Sequence, residues 1–425
     1  MADHGAKVRM KLKDVCRLIT DGKHGDCESQ ADSGYYFLSC KDVRDGKLNY
    51  VGARQITEAD FHDTHRRTQL EPNDILITNS GTIGRMAIAP KADRTHQTTF
   101  QKSVAIVKPD HAKVLSRWLY YYLLAEVERL IAFAGGTAQK NLLLRDMRAF
   151  EIEVPRKSTQ RRIASILSAY DDLIENNTRR IAILEEMARR LYEEWFVHFR
   201  FPGHEDATFI EIEDGKIPKD WRLKSIGEMT SHVRYGYTAR AQSKAEGPKF
   251  LRITDIVPNE ISWESVPYCE ISEKNLDKYM LEEGDIVVAR TGATTGYAKR
   301  LNKKFPRSVF ASYLVRMRFP NQILSRYFGM IMESENYKQF IHQHMSGAAQ
   351  PNANAQVLTS MRAIVPTDEL LEEFDKKIKP ITDAKEVLQL KSANARSQRD
   401  LLLPKLISGE IDVSKAEERI GGEAA

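Results

Sequence analysis

Asn73-Asp74-Ile75-Leu76, followed by the turn Gly81-Thr82-Ile83-Gly84, comes back later in the chain as Gly284-Asp285-Ile286-Val287 with Gly292-Ala293-Thr294-Thr295-Gly296 behind it. The two aspartates stand 211 positions apart. The same interval separates Gly136-Thr137-Ala138-Gln139-Lys140-Asn141 from Gly347-Ala348-Ala349-Gln350-Pro351-Asn352, Val154-Pro155 from Val365-Pro366, and Leu12-Lys13 from Leu223-Lys224. Asp42-Val43 and Asp255-Ile256 lie 213 apart, which fits a small loop change in between. Several matches at one long interval mark a tandem duplication. The 425 residues are therefore two copies of about 211 with short ends.

Each copy opens with a mixed part and closes with a helical one. In the mixed part, short apolar runs such as Ile75-Leu76-Ile77 and Ile286-Val287-Val288 alternate with Gly, Asn and Asp turns. Helical stretches follow at Ser116 to Phe133 and Leu324 to His342. This pattern predicts an α+β globular domain with a curved, partly open sheet. From Ser158 to about Phe199 there is no Pro or Gly. Ile163, Tyr170, Leu184 and Leu191 recur there at heptad spacing with Asn177 on the same row, and Ile166, Leu173 and Met187 make the next row. A buried Asn in such a row can fix register. The matching segment, Glu369 to about Leu406, carries Leu371, Phe374, Ile378, Ile381, Leu388, Ala395 and Leu402, with Pro380 predicted to kink it. A helix of about 40 residues spans roughly 60 Å, too long for a small domain to bury. Its natural partner is the helix of the other copy. The predicted organisation is a globular part at 1–157, a helical spacer at 158–200, a second globular part at 201–368, a second spacer at 369–415 and an acidic tail at 416–425.

The charge is unevenly placed. The net +5 divides into +5 on residues 1–157, +2 on 201–368, zero on each helical spacer and −2 on the tail. The positive excess sits on the globular parts, where a groove-reading surface would lie. The neutral helices read as structural spacers, with a direct nucleic-acid contact along them as the alternative. No run of about 18 apolar residues is present, so no membrane span is expected, and the N-terminus lacks the apolar core of a secretory signal. Cys16, Cys27, Cys40 and Cys269 form no C-x-x-C pair and are expected to be reduced, in a cytoplasmic protein. His342 and His344, and His62 and His65, come without an acidic or Cys ligand set, so no metal is expected. Neither a phosphate-binding Gly-rich loop, a dinucleotide fingerprint nor an Asn-Pro-Pro-Tyr-like methyltransferase motif is found.

Thr159-Gln160-Arg161-Arg162-Ile163-Ala164, Ile166 through Asn177 and Leu191-Tyr192-Glu193-Glu194-Trp195-Phe196-Val197 resemble the central conserved region of type I restriction-modification specificity subunits. Leu401 through Ile411, with its Leu-Pro-Lys-Leu-Ile-Ser-Gly-Glu-Ile ending, resembles their distal conserved region. The resemblance runs from about Leu12 to Val413 and is most specific in the helices. It implies two pseudo-symmetric target recognition domains separated by two long antiparallel, coiled-coil-like helices. It implies a non-catalytic chain that recognises double-stranded DNA, each domain reading one half of a split site. Two modification subunits would dock on it, carry S-adenosylmethionine and methylate adenine; two restriction subunits, where present, would add ATP- and Mg-dependent translocation and cleavage. Ile163, Leu167, Tyr170, Leu173, Asn177, Leu184, Leu191, Trp195, Phe196, Leu371, Phe374, Ile378, Ile381, Leu388, Leu402 and Leu406 are the expected spacer and subunit-interface residues. A stand-alone DNA-binding protein of the same fold, or a helical scaffold, are the alternatives. One added helical turn is about 5.4 Å against about 3.4 Å per base pair, so it should lengthen the tolerated gap by one or two base pairs.

The candidate DNA contacts fall at like places in the two copies. The loop after the apolar strand offers Asn79, Ser80, Thr82 and Arg85 in one copy and Arg290, Thr291, Thr294 and Thr295 in the other. Asn suits adenine and Arg suits guanine; the alternative reading is a tight turn closing two strands. The second place offers Gln139, Lys140 and Asn141, and Gln350, Asn352 and Asn354, or else a turn that orders the last strand. The third offers Lys23 in the first copy and Arg234, Tyr235, Tyr237 and Arg240 in the second, where an ordinary solvated loop is the competing reading.

Overall fold

The computed structural model describes residues 7–133, 141–212, 215–243, 247–258, 260–345 and 352–413. It divides into two compact units, Met1–Ile174 with Asn394–Ala425, and Glu175–Ala393. Each unit takes one globular part together with portions of both long helices, so the helical segments are shared between the units rather than forming bodies of their own.

In the first unit the strands Cys16–Asp21, Val104–Pro109, Ile75–Thr78 and Met86–Ile88 form a four-stranded antiparallel sheet in that order. Ile75 and Ile77 point to a core built around Trp118, Tyr121 and Phe150, while Leu76 points to a second core with Leu38, Val43 and Phe100. A strand covered on both faces has no polar positions to alternate with, hence its continuous apolar run. The second unit repeats the order with His232–Tyr235, Leu314–Arg318, Ile286–Ala289 and Ala298–Arg300. Ile286 and Val288 face one core there, Val287 and Ala289 the other. Both units add a parallel pair (Tyr36–Leu38 with Thr98–Phe100; Lys249–Leu251 with Ser308–Phe310) and an antiparallel pair (Val8–Lys11 with Glu151–Val154; Arg222–Ser225 with Arg362–Val365). Identical strand order and pairing is the duplication in three dimensions.

The repeated Asp explains itself. Asp74 Oδ2 accepts from the Glu71 backbone N–H at 2.8 Å, and Asp285 Oδ2 accepts from that of Glu282 at 2.8 Å. The residue before each is left-handed, Asn73 at φ 72° and Gly284 at φ 85°, which Asn tolerates and Gly favours. Each Asp also meets a cation from the neighbouring strand: Lys108 Nζ at 2.6 Å from Asp74, Arg318 in two bonds of 2.7 and 2.9 Å to Asp285. Burial nonetheless pushes the Asp74 carboxyl above the usual carboxylate range, outweighing the pull of Lys108.

The long helices run Lys157–Tyr192 and Asp368–Ser408. The first passes into a π-turn over Glu193–Val197, short of the expected Phe199. The second continues unbroken through Pro380 and Pro404 and stops at Gly409, φ 86°. In the first unit Arg399 Nη1 meets Asp171 at 2.7 Å and Arg162 donates to the Val413 carbonyl at 2.9 Å. In the second, Lys385 meets Glu185 at 2.8 Å, and the Trp195 and Phe374 rings lie 5.5 Å apart. In each unit position rises on one helix as it falls on the other, so the segments pack antiparallel.

The expected second row of the first helix needs correction. Leu173 is 47% exposed and Met187 49% exposed. The buried row lies one residue on, at Leu167, Ile174, Ile181, Ala188 and Trp195, each buried or half-buried. The reason is in the composition of the rows. The row through Ile166, Leu173 and Met187 also carries Arg180 and Glu194, while the row through Leu167 is apolar throughout. Ile163 and Asn177 are buried, and Tyr170, Leu184 and Leu191 half-buried. On the second helix Leu371, Phe374, Ile378, Leu388 and Leu406 are buried, Ile381 and Leu402 half-buried.

Candidate nucleic-acid interface

The loop after the central strand is built in the same way in both units. In the first, the Asn79 N–H donates to the Ser103 carbonyl at 3.0 Å, and the Asn79 carbonyl accepts from the Leu142 N–H at 2.9 Å. In the second, the Arg290 N–H donates to the Tyr313 carbonyl at 3.0 Å, and the Arg290 carbonyl accepts from the Ala353 N–H at 2.9 Å. One backbone position therefore ties three segments together: the central strand's exit, the turn leading into the next strand, and the segment that includes Asn141 or Asn352. The interval of 211 between Asn79 and Arg290, and between Leu142 and Ala353, shows this knot to be a duplicated feature.

The side chain at the knot differs between the units, Asn79 in one and Arg290 in the other. Asn79 is 7% exposed, and its Oδ1 is buried without a hydrogen-bond partner. Thr78 beneath it turns the loop, donating from Oγ1 to the Thr82 carbonyl and accepting from the Arg85 N–H. Thr82 and Asn141 are exposed, and Ser80 and Arg85 half-buried. Gln139, Lys140 and Gln350 lie outside the described residues. Lys23 does not present a free charge: its Nζ lies 2.7 Å from Asp60 and 3.3 Å from Asp63. The hydrogen bond to Asp60 holds its ammonium above the ordinary Lys value.

The second unit brings all three candidate places together. Arg290 Nη2 donates to Asn352 Oδ1 at 3.2 Å, and its guanidinium carbon lies 4.9 Å from the centre of the Tyr235 ring. The Tyr235 hydroxyl accepts from the Ala355 N–H at 2.8 Å. Gly236 lets the backbone after Tyr235 lie against Ala311: a Cβ there would stand 2.1 Å from the Ala311 carbonyl oxygen, and Gly22 is in the same position against Phe100 in the first unit. Two residues act structurally instead. Thr295 is fully buried and donates to the Gly292 carbonyl at 2.7 Å. Asn354 spends its Oδ1 on the Val357 N–H at 2.9 Å, capping the helix Ala355–Thr359. Tyr237 packs 5.2 Å from the Tyr279 ring, with Arg234 6.0 Å over that ring; Arg240 is exposed, Thr291 and Thr294 half-buried.

Residues 7–186 match the family model described as the type I restriction modification DNA specificity domain. The chain is 26% identical over 390 residues to the type I restriction enzyme MjaIX specificity subunit of Methanocaldococcus jannaschii, covering 89% of this chain and 87% of that one. It is 23% identical over 425 residues to the MjaVIII specificity subunit of the same organism, covering 96% and 95%. Along nearly its whole length the chain is similar to type I restriction specificity subunits. The S subunit of the type I restriction-modification system from M. genitalium has the same fold, with a TM-score of 0.56 at 14% identity over 96% of this chain and 97% of that one.

Sequence reasoning overlooked Tyr313, which is 60% exposed beside the Arg290 knot. A signal existed. Phe100-Gln101-Lys102-Ser103-Val104 and Phe310-Ala311-Ser312-Tyr313-Leu314 lie 210 apart, one short of the main interval, and the turn between two strands holds exposed Lys102 in one unit and Tyr313 in the other. Among the described residues no group of three or more His, Cys, Asp or Glu could hold a metal ion. No helix among them is long and apolar enough to cross a membrane.

Proposed function

We propose that each globular unit of this specificity subunit reads one half of a bipartite DNA site, and that the long helices set the gap between the halves. The observation that carries this is the duplicated knot: one backbone geometry carries different side chains in the two copies, Asn79 in the first and Arg290 in the second. A dimer of identical chains reads a palindrome. Two diverged copies in one chain can read two unlike half-sites. The chain itself is non-catalytic in this reading. Chemistry belongs to modification subunits that bind S-adenosylmethionine and methylate adenine, and to ATP- and Mg-dependent restriction subunits where these are present. The exposed apolar residues of the helices fit docking of those subunits: Leu173 and Leu401 in the first unit, Ile183, Met187, Val387 and Leu390 in the second.

The test is co-expression with the modification subunit followed by genome-wide mapping of methylated adenine. The expected result is one motif with two unlike halves at a fixed separation, absent without the modification subunit. DNA binding that needs no partner would favour a stand-alone regulator, and absence of DNA affinity in the assembled complex would favour a scaffold. A second prediction concerns the gap. Matched insertions of four residues near Asn177 and Ser392, which keep both helices in step, should lengthen it by one or two base pairs, since a turn is about 5.4 Å and a base pair about 3.4 Å. An unchanged methylated motif in that variant would remove the helices from this role.

A further inference from the structure

Three arginines of the second unit are each matched by an acid. Arg252 makes two bonds to Asp255, Arg318 two to Asp285, and Arg326 two to Asp375. Arg290 is held differently. Its neighbours are the Asn352 carboxamide and the face of Tyr235, both neutral, and among the described residues no carboxylate makes an ion pair with it. Neutral groups fix a guanidinium without cancelling its charge. Its main chain is pinned on both sides, N–H to the Tyr313 carbonyl and carbonyl to the Ala353 N–H. Its Nε is buried and unpartnered, so the free donors are on Nη1 and on the second hydrogen of Nη2. That leaves a two-pronged donor, rigidly placed and unneutralised. Guanine presents the matching pair of acceptors, O6 and N7, in the major groove.

We propose that Arg290 reads a guanine in the half-site bound by the second unit, with Tyr235 and Asn352 as its positioning residues. This rests on the DNA-recognition reading above and names one base within it. Asn79 occupies the same knot in the first unit, so the two half-sites differ at the corresponding point. Tyr313, joined to Arg290 through the backbone, stands at the rim of the same surface.

The experiment uses the full chain co-expressed with the modification subunit and reads the methylated motif. In the wild type one position of one half-site is a fixed G·C pair. R290A and R290Q should make that position degenerate, with discrimination falling about 10- to 100-fold, the worth of one bidentate pair, while the other half-site and the gap stay unchanged. R290K should lose the discrimination too, since it keeps the charge but not the fork. Y235F keeps the ring and should retain the motif; Y235A should relax the same position as R290A. Melting temperatures of the purified variants establish that each is folded, and R290K carries the test if R290A does not fold. An unchanged motif in folded R290A and R290Q overturns the proposal and leaves DNA recognition standing. So does a uniform loss of methylation at every site, the mark of a phosphate contact. A wild-type complex that produces no motif at all overturns the DNA-recognition reading itself.

Discussion

Asp285→Ala is expected to destabilise the second unit by about 3–5 kcal/mol, the cost of breaking a buried ion pair from one side. The Asp285 side chain is fully buried. It accepts two bonds from Arg318, lies 3.8 Å from Arg316, which is itself buried, and closes the turn through the Glu282 N–H. Removing the carboxylate leaves the buried Arg316 charge and one backbone donor unmatched, and leaves Arg318 with Glu282 as its remaining carboxylate at 2.8 Å. For a unit of this size the loss amounts to a melting shift of roughly 10 °C. The double variant Asp285→Ala with Arg318→Met should recover part of the loss, because most of the cost is the charge left behind rather than the bond removed. Asp74→Ala should act on the first unit in the same way through Lys108. Thermal melting of the full chain checks each. A change of under about 1 kcal/mol for Asp285→Ala would mean that water reaches Arg318 readily, and that the turn does not depend on the pair.

The same residues show how the fold could be read in advance. Asn73-Asp74 and Gly284-Asp285 look unlike, yet both supply a left-handed residue followed by a turn-closing carboxylate, so their recurrence at one interval reported a shared backbone. The apolar strands followed from composition; their burial on both faces emerged only with the two cores. The partners of the two aspartates did not. Lys108 and Arg318 sit in strands that read as ordinary apolar-rich runs, and only the pairing of those strands brings the cations onto the turn.

The candidate site was legible in part for the same reason. Loop residue types pointed to three places in each copy, and in the second unit those places meet. Composition could not show that Lys23 faces Asp60 and Asp63, since those acids lie on a helix about 40 residues away in sequence. Nor could it show that Asn354 is a helix cap rather than a free amide. In the helices, heptad spacing found the row through Ile163 and Asn177 but placed its neighbour one residue early, at Ile166, Leu173 and Met187. The charges of Arg180 and Glu194 mark that row as the more exposed one, with Leu173, Arg180 and Met187 all exposed. Asn177 is 2% exposed with its Nδ2 unpartnered, and Ser392, 1% exposed, likewise has an unpartnered Oγ. Ser392 gave no signal, because a lone serine in a charged helix reads as surface.

Phe196→Ala is the second large effect, expected at about 3–5 kcal/mol for loss of a buried phenyl ring. An α-helix turns about 100° per residue, so Trp195 and Phe196 should diverge, one inward and one outward. The π-turn over Glu193–Val197, closed by the His198 N–H to the Glu193 carbonyl at 2.8 Å, removes that conflict. Both rings are buried, at 4% and 3% exposure. Phe196 then becomes the hub of an aromatic cluster, with Phe374 at 4.7 Å, Tyr327 at 5.0 Å, Tyr192 at 5.4 Å and Trp221 at 5.8 Å between ring centres. These pairs join both long helices to the globular part of the second unit. Deleting the ring opens a cavity that four rigid neighbours cannot close, which places the cost at the upper end of the range. Trp195 and Trp221 report it directly: their emission should shift to longer wavelength in the folded variant, and denaturation should begin at lower denaturant. Phe196→Leu, which refills most of the volume, should recover more than half of the loss. If Phe196→Ala left the denaturation midpoint and the tryptophan emission unchanged, the cluster would not be what fastens the helices to this unit.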